Sequence, residues 1–78
     1  MRSVLNSEKM GVGDKIGFKE GITLDNLYDV GISLLPLESV GTVSALIDEG
    51  VRVHFVTTNG SNIYYDFSMD WNIVKKLI

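Results

Sequence analysis

The chain has no cysteine, one proline and one histidine in 78 residues. Without thiols, neither disulfides nor thiolate metal sites can staple the fold. One imidazole and no closely spaced set of carboxylates argue against a metal centre or a bound cofactor. The single proline, Pro36, has no backbone donor and excludes a central strand at its position. No apolar run is long enough to span a bilayer, and Met1–Asn6 lacks the apolar core of a secretory leader. A soluble, cytoplasmic protein with no membrane partner is therefore expected. Cations are also in short supply: seven Lys and Arg face ten Asp and Glu, a formal charge of −3. That balance argues against broad electrostatic attraction to nucleic acid.

What is present suits one small domain. A chain of this length buries roughly 60–65% of its unfolded surface, and 45% of its residues are hydrophobic. Residues 1–11 show no periodicity and read as an N-terminal arm. The folded domain is expected over 12–78. Val12–Lys19 alternates Ile16 and Phe18 with polar or small neighbours, the pattern of a first strand.

Two turn signals define a three-stranded meander over 41–67. Asp48-Glu49-Gly50 separates Gly41–Ile47 from Val51–Thr57, and Thr58-Asn59-Gly60 separates that strand from Ser61–Phe67. In both, glycine stands third in a three-residue loop, the pattern of a type I turn closed by a left-handed residue. A two-residue Asn59-Gly60 turn would put Ile63, Tyr65 and Phe67 behind the polar face of the middle strand, because a one-residue slip inverts a strand. The three-residue loop opposes Phe55 to Ile63, Val53 to Tyr65 and Val51 to Phe67. The first loop, read the same way, opposes Ile47 to Val51, Ala45 to Val53 and Val43 to Phe55. The outer rows are then Thr42–Val56–Asn62, Ser44–His54–Tyr64 and Leu46–Arg52–Asp66.

Residues 22–40 join the first strand to the meander. Thr23 is suited to an N-cap and Gly31 to the C′ position. Leu24, Leu27 and Tyr28 keep helical spacing between them. The segment reads as a long loop with a short helix that either packs on the core or offers apolar side chains to a partner. After the meander, Ser68-Met69-Asp70-Trp71 reads as a single helical or 3-10 turn capped by Ser68. Asn72–Ile78 is a last short strand. Trp71 is expected to pack on the core.

Val12-Gly13-Asp14-Lys15-Ile16, the "GTV" of Gly41-Thr42-Val43 leading through a turn to Val51-Arg52-Val53-His54-Phe55, and the Ser68–Trp71 turn before the last strand resemble a small SH3-like β-barrel with a KOW-like module. The resemblance covers 12–78. It implies a mainly β fold that binds peptides, proteins or nucleic acid, without choosing among them. The acidic, aromatic groove of peptide-binding SH3 domains and the basic loops of ribosomal KOW modules are both missing. In its small stand-alone style the chain also resembles phage or prophage accessory proteins.

The outer face supplies the candidate site. Leu46, Arg52, His54, Val56 and Tyr64 form a mixed apolar and aromatic patch of the kind that binds a protein, and Arg52 is placed to pair with Asp66. Ser44, His54 and Asp66 suggest a nucleophile, base and acid, but Asp66 lies diagonal to His54, no oxyanion donors accompany them and a flat face excludes no water. Catalysis is therefore not expected. Lys9, Lys15, Lys19, Lys75 and Lys76 lie on the first and last segments. There they form a basic edge that either discourages strand aggregation or, with Tyr64, binds RNA or single-stranded DNA. Gly11-Val12-Gly13 precedes a strand rather than opening a helix, so it is no phosphate loop. Asn59-Gly60-Ser61 is explained by its turn. The leading expectation is a non-catalytic protein-interaction module, with a homodimer compatible with it.

Overall fold

A computed structural model describes residues 10–77. Five antiparallel strands form one sheet: β1 (Lys15–Phe18), β2 (Gly41–Ile47), β3 (Gly50–Val56), β4 (Asn62–Ser68) and β5 (Val74–Leu77). Their order across the sheet is β4-β3-β2-β1-β5. A helix α1 (Leu24–Asp29) and a 3-10 turn (Met69–Trp71) complete the elements. The fold is mainly β, with the meander and the turn before the last strand where the sequence predicts them. The first and last strands, β1 and β5, are shorter than their apolar patterns suggest. Most of the expected arm, including Lys9, and the final Ile78 lie outside the described residues.

The sheet buries one face. Phe18 on β1, Phe55 on β3 and Phe67 on β4 meet with ring centroids 6.1–6.3 Å apart. Strands lie about 4.8 Å apart in the hydrogen-bonding direction, and β1 and β4 have two strands between them. The sheet must therefore curl for Phe18 to reach Phe67. Ile16, Val43, Val51 and Val53 are almost fully buried in the same core. Two glycines permit this packing. A Cβ on Gly41 would stand 2.5 Å from Val53 Cγ1 and 2.7 Å from Phe55 Cε1, and one on Gly50 would stand 1.7 Å from the Phe67 carbonyl oxygen.

The second hairpin has the expected register. Phe55 opposes Ile63, Val53 opposes Tyr65 and Val51 opposes Phe67. Gly60 N–H donates to Thr57 C=O at 2.9 Å, Thr57 N–H donates to Ser61 C=O at 2.8 Å, and Gly60 has φ +88°. This is the type I turn with a left-handed glycine.

The first hairpin differs. Only Asp48 and Glu49 form its loop, and Ile47 opposes Gly50. None of Asp48, Glu49 and Gly50 has a positive φ. Gly50 is a strand residue whose missing side chain lets β3 approach the Phe67 carbonyl, so the glycine marks close packing rather than a turn. Leu46 consequently opposes Val51 and Ala45 opposes Arg52. A bulge at Ser44 then shifts the ladder again, and Val43 opposes Val53. One extra residue in one strand restores Val43 to the core side.

The 22–40 segment packs on the core. The Thr23 hydroxyl accepts the Asn26 N–H at 3.2 Å while Asn26 Oδ1 accepts the Thr23 N–H at 2.9 Å, a reciprocal cap. At the other end Gly31 (φ +89°) donates to Tyr28 C=O and Ile32 donates to Leu27 C=O at 2.9 Å. These two bonds make a Schellman motif. Leu27, Ile32 and Leu35 are thereby buried, while Tyr28 and Leu34 remain exposed.

The 3-10 turn is capped by Ser68, whose hydroxyl accepts the Asp70 N–H at 3.2 Å. Left-handed Asn72 (φ +58°) ends it and turns the chain into β5. Trp71 sets its ring edge-on to Phe67 at 6.3 Å, yet stays 37% exposed. It closes one flank of the core without entering it.

Candidate functional site

The outer face of β3 and β4 carries three opposed pairs: Val56–Asn62, His54–Tyr64 and Arg52–Asp66. Directly opposed residues in an antiparallel ladder share a face, and each pair here has a defined contact or exposure. The His54 and Tyr64 rings stack at 4.8 Å with 29° between their planes. His54 Nε2 lies 2.9 Å from Asn62 Oδ1, which ties the imidazole to the neighbouring row. Arg52 grips Asp66 with both ends of its fork, Nε to Oδ1 at 2.7 Å and Nη2 to Oδ2 at 3.1 Å. Val56 and Tyr64 project into solvent, 60% and 57% exposed.

This arrangement sets the local charge. Hydrogen bonding from the Arg52 guanidinium, helped by its charge, holds the Asp66 carboxyl below the usual carboxylate range. The same hydrogen bond raises Arg52. The pair is bidentate, internally neutral and half-exposed. Such a pair orients its partners more than it stabilises the fold.

Arg52, His54, Val56 and Tyr64 are thus gathered on one face. Leu46 is not among them. The two-residue loop places Leu46 opposite Val51 instead of Arg52. It there lines a groove of about 610 Å³ with Met10, Val51, Met69 and Val74. Leu46 remains 58% exposed there. The outer row beside His54 is occupied by Thr42 rather than Ser44. Sequence reasoning missed the groove because Gly50 read as a turn residue, which made the loop one residue too long. A polar Ser44 between Val43 and Ala45 is ordinary strand alternation and signals neither the bulge nor the groove.

Ser44, His54 and Asp66 each bond elsewhere. The Ser44 hydroxyl donates to Arg52 C=O at 3.3 Å, His54 pairs with Asn62 and Asp66 with Arg52. Among the described residues no group of three or more His, Cys, Asp or Glu is placed to hold a metal ion. No described helix is long and apolar enough to cross a membrane.

The lysines are dispersed. β1 lies between β2 and β5, so Lys15 is not on an edge, and its Nζ donates to Thr42 Oγ1 at 2.9 Å. Lys19 bonds the Asn72 side chain. Lys76 lies 3.5 Å from Asp14. The Gly11 N–H, and after it Lys76, hold the Asp14 carboxyl below its ordinary value. Lys75 and Lys76 are on β5, one of the two sheet edges.

No family model matches the chain, and no curated protein or solved structure matches it.

Proposed function

We propose that this chain is a small SH3-like β-barrel that works by binding: a non-catalytic module that docks on a larger cytoplasmic protein and modulates it through the outer face of β3 and β4. The reading rests on the stacked His54–Tyr64 pair. An exposed aromatic with a restricted ring, flanked by Val56 and bordered by the Arg52–Asp66 pair, has the composition of a protein-binding hot spot with a polar rim. The rim is pre-ordered, so docking immobilises few side chains. The barrel reading draws on the element order and on the curl that brings Phe18 to Phe67. The style of an accessory protein of phage or prophage type belongs to the same proposal.

The test is affinity capture of the tagged chain from its native cells with nuclease treatment, beside the His54→Ala/Tyr64→Ala double variant. A stoichiometric protein that survives nuclease and is lost with the folded double variant supports the reading. A partner retained equally by both variants overturns this choice of face.

A second reading is RNA or single-stranded DNA binding, favoured by the exposed Tyr64 ring as a stacking surface. It predicts binding to oligo(U) or oligo(dT) that weakens steeply with salt and on Tyr64→Ala. Absence of binding at low salt removes it.

A further inference from the structure

The two edges of the sheet differ in chemistry. β5 carries Lys75 and Lys76, and charged edge residues discourage strand addition. β4 (Asn62-Ile63-Tyr64-Tyr65-Asp66-Phe67-Ser68) has neither lysine nor proline, and its one charge, Asp66, is engaged by Arg52. It is also the longer edge, seven residues against four.

Its backbone is directed outward in a regular way. Thr57 N–H donates to Ser61 C=O and Met69 N–H donates to Glu49 C=O, each at 2.8 Å. The 57/61 and 49/69 pairs are therefore of the hydrogen-bonded type. Pair types alternate along an antiparallel ladder. Val51–Phe67, Val53–Tyr65 and Phe55–Ile63 thus bond β3 to β4. Asn62, Tyr64, Asp66 and Ser68 point their N–H and C=O groups away from β3. Among the described residues no strand or backbone hydrogen bond meets them.

We propose that β4 pairs antiparallel with β4 of a second copy, about a two-fold axis through Tyr65, to form a homodimer with one continuous sheet. The strand is self-complementary in that register. Asn62 meets Ser68 of the second copy and Tyr64 meets Asp66, so every outward residue faces an outward residue. Each such pair exchanges two hydrogen bonds, about eight in all. On the core side Ile63 faces Phe67 of the second copy, and Tyr65 faces Tyr65 of the second copy. A two-fold at Asp66 would set two carboxylates against each other. A two-fold at Tyr64 would leave the Ser68 groups unmatched. The Tyr65 register avoids both. Pairing also sets the two His54–Tyr64 patches on one face. The inference concerns the edge of β4 and stands independently of what that face binds.

Sedimentation equilibrium of the full chain across micromolar to millimolar concentration tests it, beside Tyr64→Glu and Tyr64→Lys. In the proposed register position 64 faces Asp66 of the second copy at two symmetric places. Tyr64→Glu is expected to weaken the dimer roughly tenfold or more, and Tyr64→Lys to retain it. Amide exchange gives a second readout: protection of Tyr64 and Asp66 N–H should rise with protein concentration, while that of Tyr65 should not. A chain monomeric to millimolar concentration overturns the proposal. So does a dimer indifferent to both substitutions, or an open-ended series of oligomers lost on Lys75→Glu/Lys76→Glu, which would assign β4 to β5 pairing.

Discussion

The missing side chain of Gly50 and the carbonyl of Phe67 occupy the same space: a Cβ at residue 50 would lie 1.7 Å from that oxygen. The obstruction is backbone in the ladder that joins β3 to β4, so no rotamer change relieves it. Gly50→Ala is expected to destabilise the fold by about 3 kcal/mol or more, read from the urea midpoint. At Gly60 a Cβ would have open space, and only the positive φ opposes it. Gly60→Ala should cost about 1–2 kcal/mol. An equal cost at both positions would contradict this account of Gly50.

Leu46 and Val51 oppose each other yet differ in burial, 58% against 3% exposed. Val51→Ala should cost about 2 kcal/mol, whereas Leu46→Ala should cost less than about 1 kcal/mol. Thermal unfolding of the two variants checks the difference. Equal destabilisation would show that Leu46 is covered in solution.

Phe67 is fully buried and contacts four aromatic rings: Phe18, Phe55, Tyr65 and Trp71. Phe67→Ala is expected to remove about 3–5 kcal/mol. A domain this small has little more than that to lose, so circular dichroism should report a largely unfolded chain at ambient temperature. The fluorescence of Trp71, the sole tryptophan, should shift to the red as its packing against the Phe67 ring is lost.

The Asp66 carboxyl is held below its ordinary value when folded, first by its hydrogen bond from Arg52. Its contribution is therefore fully present above the unfolded carboxylate range near pH 4. It is lost as pH falls through the lower folded value. Asp14, held down by the Gly11 N–H, acts in the same direction. Urea midpoints should stay flat through neutral pH and drop below about pH 4. Asp66→Asn should make that drop shallower. An unchanged acid profile would exclude a role for the pair.

Thr23 accepts the Asn26 N–H and begins the helix that buries Leu27. Thr23→Ala should cost about 1 kcal/mol, while Thr23→Ser should be close to neutral. Comparison of their melting temperatures separates capping from side-chain packing.

Local chemistry alone determined much of this chain. Thr23 and Gly31 bracket the helix because a cap oxygen and a left-handed glycine satisfy its end groups. Ser68 opens the 3-10 turn for the same reason. Thr58-Asn59-Gly60 set the β3–β4 register, and with it the His54–Tyr64 and Arg52–Asp66 pairs, because only one loop length puts Ile63, Tyr65 and Phe67 on the core side. The β2–β3 hairpin was decided by tertiary packing. Gly50 looked like a turn residue, yet it is a glycine because the Phe67 carbonyl comes too close for any side chain. The Ser44 bulge followed from the need to seat Val43 in the core after the shorter loop had shifted the strand. The shorter loop moved Leu46 out of the outer patch and into a groove, and the bulge kept Val43 in the core. A pattern of alternating residues records neither event, because close approach and bulging are relations between strands rather than properties of either one.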